Sequence, residues 1–345
     1  MLRLFRMDMG KQEVTAVLSM GKVRGLQQIS SPEGVFVICA MDHRESLKSM
    51  IAQGHPGEVS YQEMVDHKRE LCETLAPHAT AVLLDPNYGV AQCIAAGILP
   101  GRTGLLISME ATGYLGSTEE RRTVLQQDWS VEKVRRVGGS GAKLLLHYRP
   151  DLPKIAAHQL AVTRSLAEEC LKYDLPCVVE PKTYPIKGEK EHLPPLSQKK
   201  PGLVIQTARE ITSLPIDVLK AEFPADLSET KDEAALLDLC YKLDEASQTP
   251  WVILSAGVDF DTFCQEVRLA CRAGASGLLA GRAIWQEAAR MADKRERSKF
   301  LSTVAVDRMK RLLEIAMEYA VPWHKKLGLP RHELAQTSES WFRDY

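Results

Sequence analysis

DVLKAEFP, residues 217–224, is a mostly apolar segment that predicts a buried β-strand, although two charged residues lie inside it. Side chains on a strand alternate between its two faces, so we expect Lys220 and Glu222 to share one face, with Leu219 and Ala221 on the other. An unpaired buried charge is strongly destabilising, so both charges are expected to border a polar cavity.

Seven further apolar segments follow the same pattern: VFVICAMD (35–42), AVLLD (81–85), GLLISME (104–110), GAKLLLHY (141–148), PCVVEP (176–181), WVILSAG (251–257) and GLLAGR (277–282). Most are apolar on both faces, as parallel strands covered by helices are. Helical patterns separate many of them, which indicates βαβ units. Eight such units close an α/β (β/α)8 TIM barrel. An open doubly wound sheet is less favoured, because no GxGxxG follows the first strand.

The remaining segments predict additions to this barrel. Residues 1–30 predict an N-terminal helical extension, and residues 31–345 the barrel with its C-terminal helices, including a strongly periodic helix over residues 300–320 that would cover the eighth strand. Residues 184–203 are polar and rich in Pro and Lys, which predicts a long βα loop, either a lid or a solvated excursion.

The composition limits the partners and the compartment. The 345 residues include 44 Lys+Arg and 45 Asp+Glu, so no overall field attracts nucleic acid or an anionic membrane. An anionic ligand must therefore be held by local groups. The eight cysteines show no CxxC spacing. No signal peptide or membrane span of about 18 apolar residues is visible. We expect a cytoplasmic protein with reduced cysteines.

Charged and polar residues cluster at the C-terminal ends of the predicted strands, where barrel active sites are built. In chain order these are Asp42, His43, Arg44, Asp85, Glu110, Lys143, Glu180, Lys220, Glu222, Ser255, Gly257, Gly281 and Arg282. A single strand-end Asp is more often a helix cap or an ion-pair partner than a catalyst. Two lysines within core-like strands, with a glutamate between them in chain order, are harder to attribute to chance.

Lysine chemistry explains such a set. At its usual pKa of about 10.4 a lysine is protonated at pH 7 and is no nucleophile. A second ammonium or partial burial lowers that pKa and frees the amine to form a Schiff base with a carbonyl. Lys143 and Lys220 fit that relation. Glu180 would then transfer protons, and Asp42 would assist at the substrate hydroxyl, which is class I aldolase chemistry.

A phosphate site is predicted after the seventh and eighth strands, where barrels often bind this group. The segments SAG (255–257) and AGRA (280–283) offer backbone N–H groups with little side-chain obstruction, and Arg282 offers a guanidinium fork. A small residue after a strand is common, so SAG alone is weak support. Both segments in this order are a stronger indication.

These segments resemble the class I tagatose-1,6-bisphosphate aldolases of the LacD type, a family with relatives that cleave 6-deoxy-6-sulfofructose 1-phosphate. The resemblance spans about residues 30 to 290 and rests on AMDHR (40–44), LLDPNYG (83–89), ATGY (111–114), the Lys143 strand, VVEP (178–181), DVLKAEFP (217–224), ILSAGV (253–258) and LLAGRAIW (278–285).

The resemblance implies that Lys220 is the Schiff-base lysine and Glu180 the proton-transfer carboxylate. Asp42 and Lys143 match assisting positions. Phosphate contacts are implied at Ser255, Gly257, Gly281 and Arg282. We further expect Arg44 to bind substrate and regard four residues as possible contributors: His43, Asp85, Glu110 and Glu222.

The implied reaction cleaves tagatose 1,6-bisphosphate to dihydroxyacetone phosphate and glyceraldehyde 3-phosphate without a metal or other cofactor. The alternative substrate is sulfofructose 1-phosphate, which gives sulfolactaldehyde. The chain departs from the family at His43, where Gln is common, and over residues 180–195, so the substrate stays open. His43 either contacts a second anionic group or packs. A homo-oligomer is expected, with a phosphorylated ketose as the only partner class.

Two other functions compete with this interpretation. A metal-dependent aldolase needs several histidines at converging strand ends, yet only His43 and His147 lie there, and neither belongs to a motif such as HExxH. A barrel that binds sugar phosphates as a regulator is the second alternative. Retention of both lysines and Glu180 argues against lost catalysis, because an unpaired buried lysine is destabilising.

Overall fold

The computed structural model describes residues 18–54, 58–227, 229–331, 334 and 337–345. The predicted TIM barrel is confirmed: eight parallel strands pair in chain order, and β1 pairs with β8 to close the barrel. The strands are β1 (Phe36–Ala40), β2 (Ala81–Leu84), β3 (Gly104–Ser108), β4 (Gly141–His147), β5 (Cys177–Lys182), β6 (Val218–Ala221), β7 (Trp251–Ile253) and β8 (Gly277–Ala280).

Helices surround this barrel. The α-helices of the described residues are α1 (Met20–Ile29), α2 (Glu45–Gly54), α3 (Tyr61–Leu75), α4 (Val90–Ala95), α5 (Val131–Arg136), α6 (Pro153–Lys172), α7 (Leu196–Thr212), α8 (Glu233–Ala246), α9 (Phe260–Arg272), α10 (Arg282–Ala289), α11 (Lys294–Phe300), α12 (Val306–Tyr319), α13 (Trp323–Lys326) and α14 (Trp341–Asp344). A 3₁₀ turn covers Ala76–His78, and a π-helical turn, Leu301–Ala305, joins α11 to α12.

The strands are buried on both faces, as their apolar sequences predict. Side chains such as Phe36, Ile38 and Leu83 form an inner cluster within the barrel. Their neighbours, such as Val37 and Cys39, belong to a second cluster between the strands and the helices. Alternate residues of each strand therefore supply the two layers, because successive side chains of a strand point to opposite faces.

Helix boundaries follow local signals. Ser60 and Glu63 form a capping box at the start of α3, and the side chains of Asp232 and Asp259 accept hydrogen bonds from the first turns of α8 and α9. The predicted periodic helix at residues 300–320 is divided between the π-helical turn and α12. Helix α12 packs against α9, α3 and β1, so its cover of the eighth strand stays a prediction.

The N-terminal end of the barrel is covered by chain segments from both ends of the protein. Leu26 and Ile29 of α1 and Trp323 of α13 belong to the inner cluster. Lys22 of α1 also pairs with Asp217, with Nζ 2.8 Å from Oδ2. Residues 1–17 of the predicted extension lie outside the described residues, so the division into 1–30 and 31–345 stays a prediction. Within the described ranges, no helix is both long enough and apolar enough to cross a membrane.

The predicted loop over residues 184–203 was too long. Helix α7 begins at Leu196 and contains Pro201, so the loop ends at Pro195. The Pro and Lys content predicted a loop, but Leu203 and Val204 are buried against the core and place this segment on the barrel. The apolar face of the helix therefore outweighs the helix-breaking tendency of one proline.

Candidate active site

A cavity of about 410 Å³ opens at the C-terminal ends of the strands. Its wall combines residues after β1 and β3 with inward-facing side chains of β4, β5 and β6 and with Arg282, the second residue after β8. The predicted residues that line it are Asp42, His43, Arg44, Glu110, Lys143, Glu180, Lys220 and Arg282. Eight of the thirteen strand-end residues therefore meet in one cavity.

Lys143 is the centre of the charged cluster and is fully buried. Its Nζ lies 2.7 Å from Asp42 Oδ2, 3.0 Å from Glu110 Oε1 and 2.8 Å from Glu180 Oε2. An ammonium group has three N–H donors, and three carboxylates take them. In the part of the chain that the structure describes, no cluster of three or more His, Cys, Asp or Glu is arranged to hold a metal ion.

These contacts keep Lys143 charged. Burial alone would lower the pKa of Lys143, but Asp42, Glu110 and Glu180 raise it well above its ordinary value. Burial would likewise raise the pKa of Asp42, and Lys143 instead holds it well below its usual range. Lys143 is therefore a fixed cation that orients carboxylates, and no base.

Lys220 differs because it has one carboxylate partner among the described residues. Its Nζ lies 2.8 Å from Glu180 Oε1, and the other oxygen of Glu180 contacts Lys143. Burial lowers the pKa of Lys220, Glu180 opposes this shift, and the nearby Lys143 adds to it. A lowered pKa increases the fraction of neutral amine, which is the form that attacks a carbonyl.

Glu180 joins the two lysines. Burial would raise its pKa, but Lys143 and Lys220 lower the pKa to about 2. The carboxylate is therefore ionised at neutral pH, and its Oε1 lies within hydrogen-bond distance of the Lys220 ammonium. This position between the nucleophile and a fixed cation is the geometry that proton transfer during imine formation requires.

Gly257 and Gly281 lie beside the cavity, behind the lining residue Arg282, and other groups approach both of them closely. Gly257 has φ +89°, and a Cβ there would lie 3.2 Å from Arg282 Cζ. A Cβ at Gly281 would lie 2.5 Å from the carbonyl oxygen of Ala40. Both positions therefore require glycine. No carboxylate of the described residues pairs with Arg282, so its guanidinium is available to an anion.

The sequence of this chain is similar to those of known aldolases. Residues 36–287 match the sequence model described as "DeoC/LacD family aldolase". The chain belongs to this family. The tagatose 1,6-diphosphate aldolase of Listeria monocytogenes serotype 4a (strain HCC23) is 32% identical over 90% of this chain and 96% of the relative. Tagatose 1,6-diphosphate aldolase 2 of Enterococcus faecalis is 31% identical over 90% of this chain and 98% of the relative.

Solved structures give the same fold. The aldolase matches an archaeal fructose 1,6-bisphosphate aldolase with a TM-score of 0.54 and 19% identity, covering 83% of this chain and 98% of the other. Fructose-bisphosphate aldolase from Plasmodium falciparum matches with a TM-score of 0.67 and 12% identity, covering 90% and 99%. At these identities the structural matches support the barrel architecture alone.

Glu222 of this aldolase does not share the environment of Lys220, contrary to the expectation from strand periodicity. Its Oε2 accepts a hydrogen bond from the backbone N–H of Thr183 at 2.7 Å. It lines a small pocket with Leu219 and Ala221, on the outer side of the barrel. The reason is that β6 ends at Ala221, so the two-residue alternation no longer applies at Glu222.

Asp85 also lies outside the cavity. It is fully buried and pairs with Lys68, a helix α3 residue whose Nζ also donates to the carbonyl oxygens of Met41 at 2.6 Å and His43 at 2.8 Å. Asp85 Oδ1 accepts from the backbone N–H of Tyr88 at 2.8 Å. Asp85 therefore stabilises the fold around the end of β1.

Arg44 lines the cavity but is engaged by protein groups. Its guanidinium donates to the carbonyl oxygen of Glu110 at 2.7 Å and to the side chains of Asn87 and Gln126, both at 3.3 Å. Ser255 is buried, and its carbonyl oxygen accepts from the Val258 N–H at 3.0 Å. Substrate contact by Arg44 and Ser255 stays a prediction.

His43 lines the cavity and packs against a tryptophan. Its ring meets Trp285 edge-on, with centroids 5.1 Å apart, and Nδ1 lies 3.7 Å from Asp42 Oδ1. Burial and the nearby Arg282 and Lys220 lower the pKa of His43 to about 3, although Asp42 opposes this. The imidazole is therefore neutral at physiological pH, and both of its predicted roles stay open.

The residues around the site that were not predicted from the sequence as site residues include Lys68, His147 and Lys182. Lys68 gave no signal, because a helix lysine is usually exposed. His147 and Lys182 did give one: they continue the inward alternation of Lys143 on β4 and of Glu180 on β5. Both line the cavity.

Proposed function

We propose that this protein is a class I aldolase in which Lys220 forms a Schiff base with the ketone carbon of a ketohexose bisphosphate. The observation that carries the proposal is the bridge from Lys220 through Glu180 to Lys143 at the wall of the cavity. Lys220 combines a lowered pKa, a proton acceptor within hydrogen-bond distance and access to a ligand, which are the requirements for an activated amine.

Tagatose 1,6-bisphosphate is the first substrate we propose, cleaved to dihydroxyacetone phosphate and glyceraldehyde 3-phosphate. The names of the curated relatives support this choice. A phosphate ester on the first carbon would lie toward Gly257, Gly281 and Arg282. These residues follow β7 and β8, and β7 is the neighbour of β6, the strand that carries Lys220. Barrels frequently bind phosphate there.

Imine formation uses Glu180 as a proton carrier. Glu180 takes a proton from the Lys220 ammonium, and the neutral amine adds to the ketone carbon. The ketone oxygen takes the amine proton as the carbinolamine forms. Glu180 then returns its proton to the carbinolamine hydroxyl, so water leaves and a protonated imine remains. Protons balance, because one ammonium and one ketone give one iminium and one water.

Bond cleavage follows from the positive imine. Asp42 accepts the proton of the C4 hydroxyl, the C3–C4 bond breaks, and its electrons move into the imine to give an enamine and a free aldehyde. Lys143 holds Asp42 at 2.7 Å throughout, which fixes the carboxylate without reorganisation. Protonation of the enamine at C3 and hydrolysis release dihydroxyacetone phosphate and Lys220.

Reductive trapping tests the proposal. Borohydride added with dihydroxyacetone phosphate is expected to fix the ligand mass on the peptide that contains Lys220, as read by mass spectrometry. An adduct on another side chain, or none, contradicts the proposal. Activity is expected to survive chelation, because no step uses a metal. Assays on tagatose 1,6-bisphosphate, fructose 1,6-bisphosphate and sulfofructose 1-phosphate then rank the substrates.

A further inference from the structure

A second polar layer lies above the catalytic cluster, on the wall of the cavity formed by β4 and β5. His147 and Lys182 are register partners in the parallel pairing of these strands, and both line the cavity. Neither is needed by the chemistry at Lys220. The imidazole of His147 and the ammonium of Lys182 therefore lie side by side near the open end of the cavity.

The distance from the catalytic layer suits the far end of a sugar chain. Lys182 follows Glu180 by two residues, which corresponds to roughly 7 Å along a parallel strand. In a six-carbon ketose, four carbon–carbon bonds of about 1.5 Å separate the ketone carbon from the last carbon. In the closed barrel order, β4 also lies opposite β8, the strand that precedes Arg282.

Aromatic packing fixes His147. Its ring meets Tyr114 and Tyr184 edge-on, with centroid separations of 5.2 and 5.9 Å. The Arg121 guanidinium lies over both tyrosine rings, 4.9 and 4.8 Å from their centroids. Nδ1 of His147 is buried without a hydrogen-bond partner among the described residues, and a neutral imidazole has one N–H to donate to a ligand.

The charge of this layer is positive. Among the described residues, the carboxylate that pairs with Lys182 Nζ belongs to Glu191, at 3.8 Å. The Glu191 side chain is 58% exposed, so this pair is weak. Burial, Arg121 and Lys182 lower the pKa of His147 to about 4, against a small opposing effect of Glu180. His147 is thus a neutral donor beside two cations, which suits an anion.

We propose that Lys182 and His147 form a distal anion subsite that selects ketose 1-phosphates carrying a second anionic group, a phosphate or a sulfonate, at the end of the chain remote from Arg282. Tyr114, Tyr184 and Arg121 position the imidazole. This inference rests on the proposed Schiff-base function, because that function orients the sugar with its ketone carbon on Lys220.

The substitution Lys182→Met tests the subsite, because it removes the ammonium and keeps the length of the side chain. We expect kcat/KM for tagatose 1,6-bisphosphate to fall about 10- to 100-fold, as expected for loss of a hydrogen bond to a charged group. For tagatose 1-phosphate, which lacks the second anion, kcat/KM should stay within about twofold. Lys187→Met, at an exposed position in the loop that follows Lys182, is the matched control and should change neither value.

His147→Phe keeps an aromatic ring at this position but removes the nitrogens, so a smaller loss confined to substrates with a distal anion is expected. Sulfofructose 1-phosphate as a third substrate identifies the source of the anion. The subsite is supported if kcat/KM falls more for either doubly anionic substrate than for tagatose 1-phosphate. Equal losses on all substrates, or no loss, overturn it.

Trapping separates this inference from the function on which it rests. Dihydroxyacetone phosphate carries no distal anion, so its borohydride adduct on Lys220 should form equally in wild type and Lys182→Met. An adduct without any preference of the wild type for doubly anionic substrates overturns the subsite alone. Absence of the adduct in the wild type overturns the proposed function and the subsite with it.

Discussion

Two buried lysines, Lys68 and Lys220, face carboxylates in different regions of this aldolase. Lys68 lies behind the end of β1, where Asp85 and the carbonyl oxygens of Met41 and His43 take its three donors. Lys220 lies inside the barrel mouth, where Glu180 is its partner and a cavity of about 410 Å³ adjoins it.

The pKa does not separate these lysines. Burial is the largest cause for both and lowers the pKa of each, against opposing carboxylates. Lys68 has every N–H donor matched and adjoins no part of the cavity, whereas Lys220 has one carboxylate partner and lines the cavity. A buried lysine is thus a candidate nucleophile when its donors are incompletely matched and a ligand has access to it.

The largest expected difference is in turnover. Lys220→Met should lower kcat at least 10⁴-fold, because the covalent intermediate has no nucleophile. Its unfolding free energy should be unchanged or increased, since Glu180 keeps Lys143 as a partner. Steady-state assays and urea unfolding measure the two quantities. Residual turnover above 1% of wild type would contradict the assigned nucleophile.

Lys68→Met should show the opposite pattern. It leaves Asp85 charged, buried and unpaired, so we expect destabilisation by about 3–5 kcal/mol in urea unfolding. The folded fraction should still form the borohydride adduct on Lys220. The double variant Lys68→Met/Asp85→Asn, which removes both charges, should recover part of this stability. No recovery would mean that the ion pair is not the cause.

The pH dependence of Lys220 provides a finer test. A lysine with a lowered pKa has more neutral amine at a given pH, so labelling of Lys220 by an amine-reactive reagent should rise at lower pH than labelling of exposed lysines. Glu180 raises the pKa of Lys220, so Glu180→Gln should move the curve to still lower pH. Peptide mass spectrometry across pH measures the curves, and a move to higher pH would contradict the assignment.

Glu222→Gln supplies the matched control and the smallest expected effect. Its carboxylate bonds the Thr183 N–H on the outer side of the barrel, and a glutamine oxygen can accept the same bond. We expect kcat within about twofold of wild type and no change in the Lys220 labelling curve. A shift in that curve as large as the one from Glu180→Gln would place Glu222 in the cavity after all.

The sequence by itself determined the barrel. Eight segments apolar on both faces, separated by helical patterns, specify parallel strands, because alternating side chains and helix periodicity are local properties. The same alternation placed Lys143, Glu180 and Lys220 at one end of the barrel. The inward positions of His147 and Lys182 were predictable in the same way.

Only the tertiary structure decided which charges meet. Lys68 and Asp85 are partners across a helix and the end of a strand, and Glu222 changes sides because β6 ends at Ala221. Polar residues in the segment from 184 to 203 predicted a loop. In the structure helix α7 already begins at Leu196, because Leu203 is buried against the core. Pairing between distant residues depends on packing in three dimensions, which no local periodicity encodes.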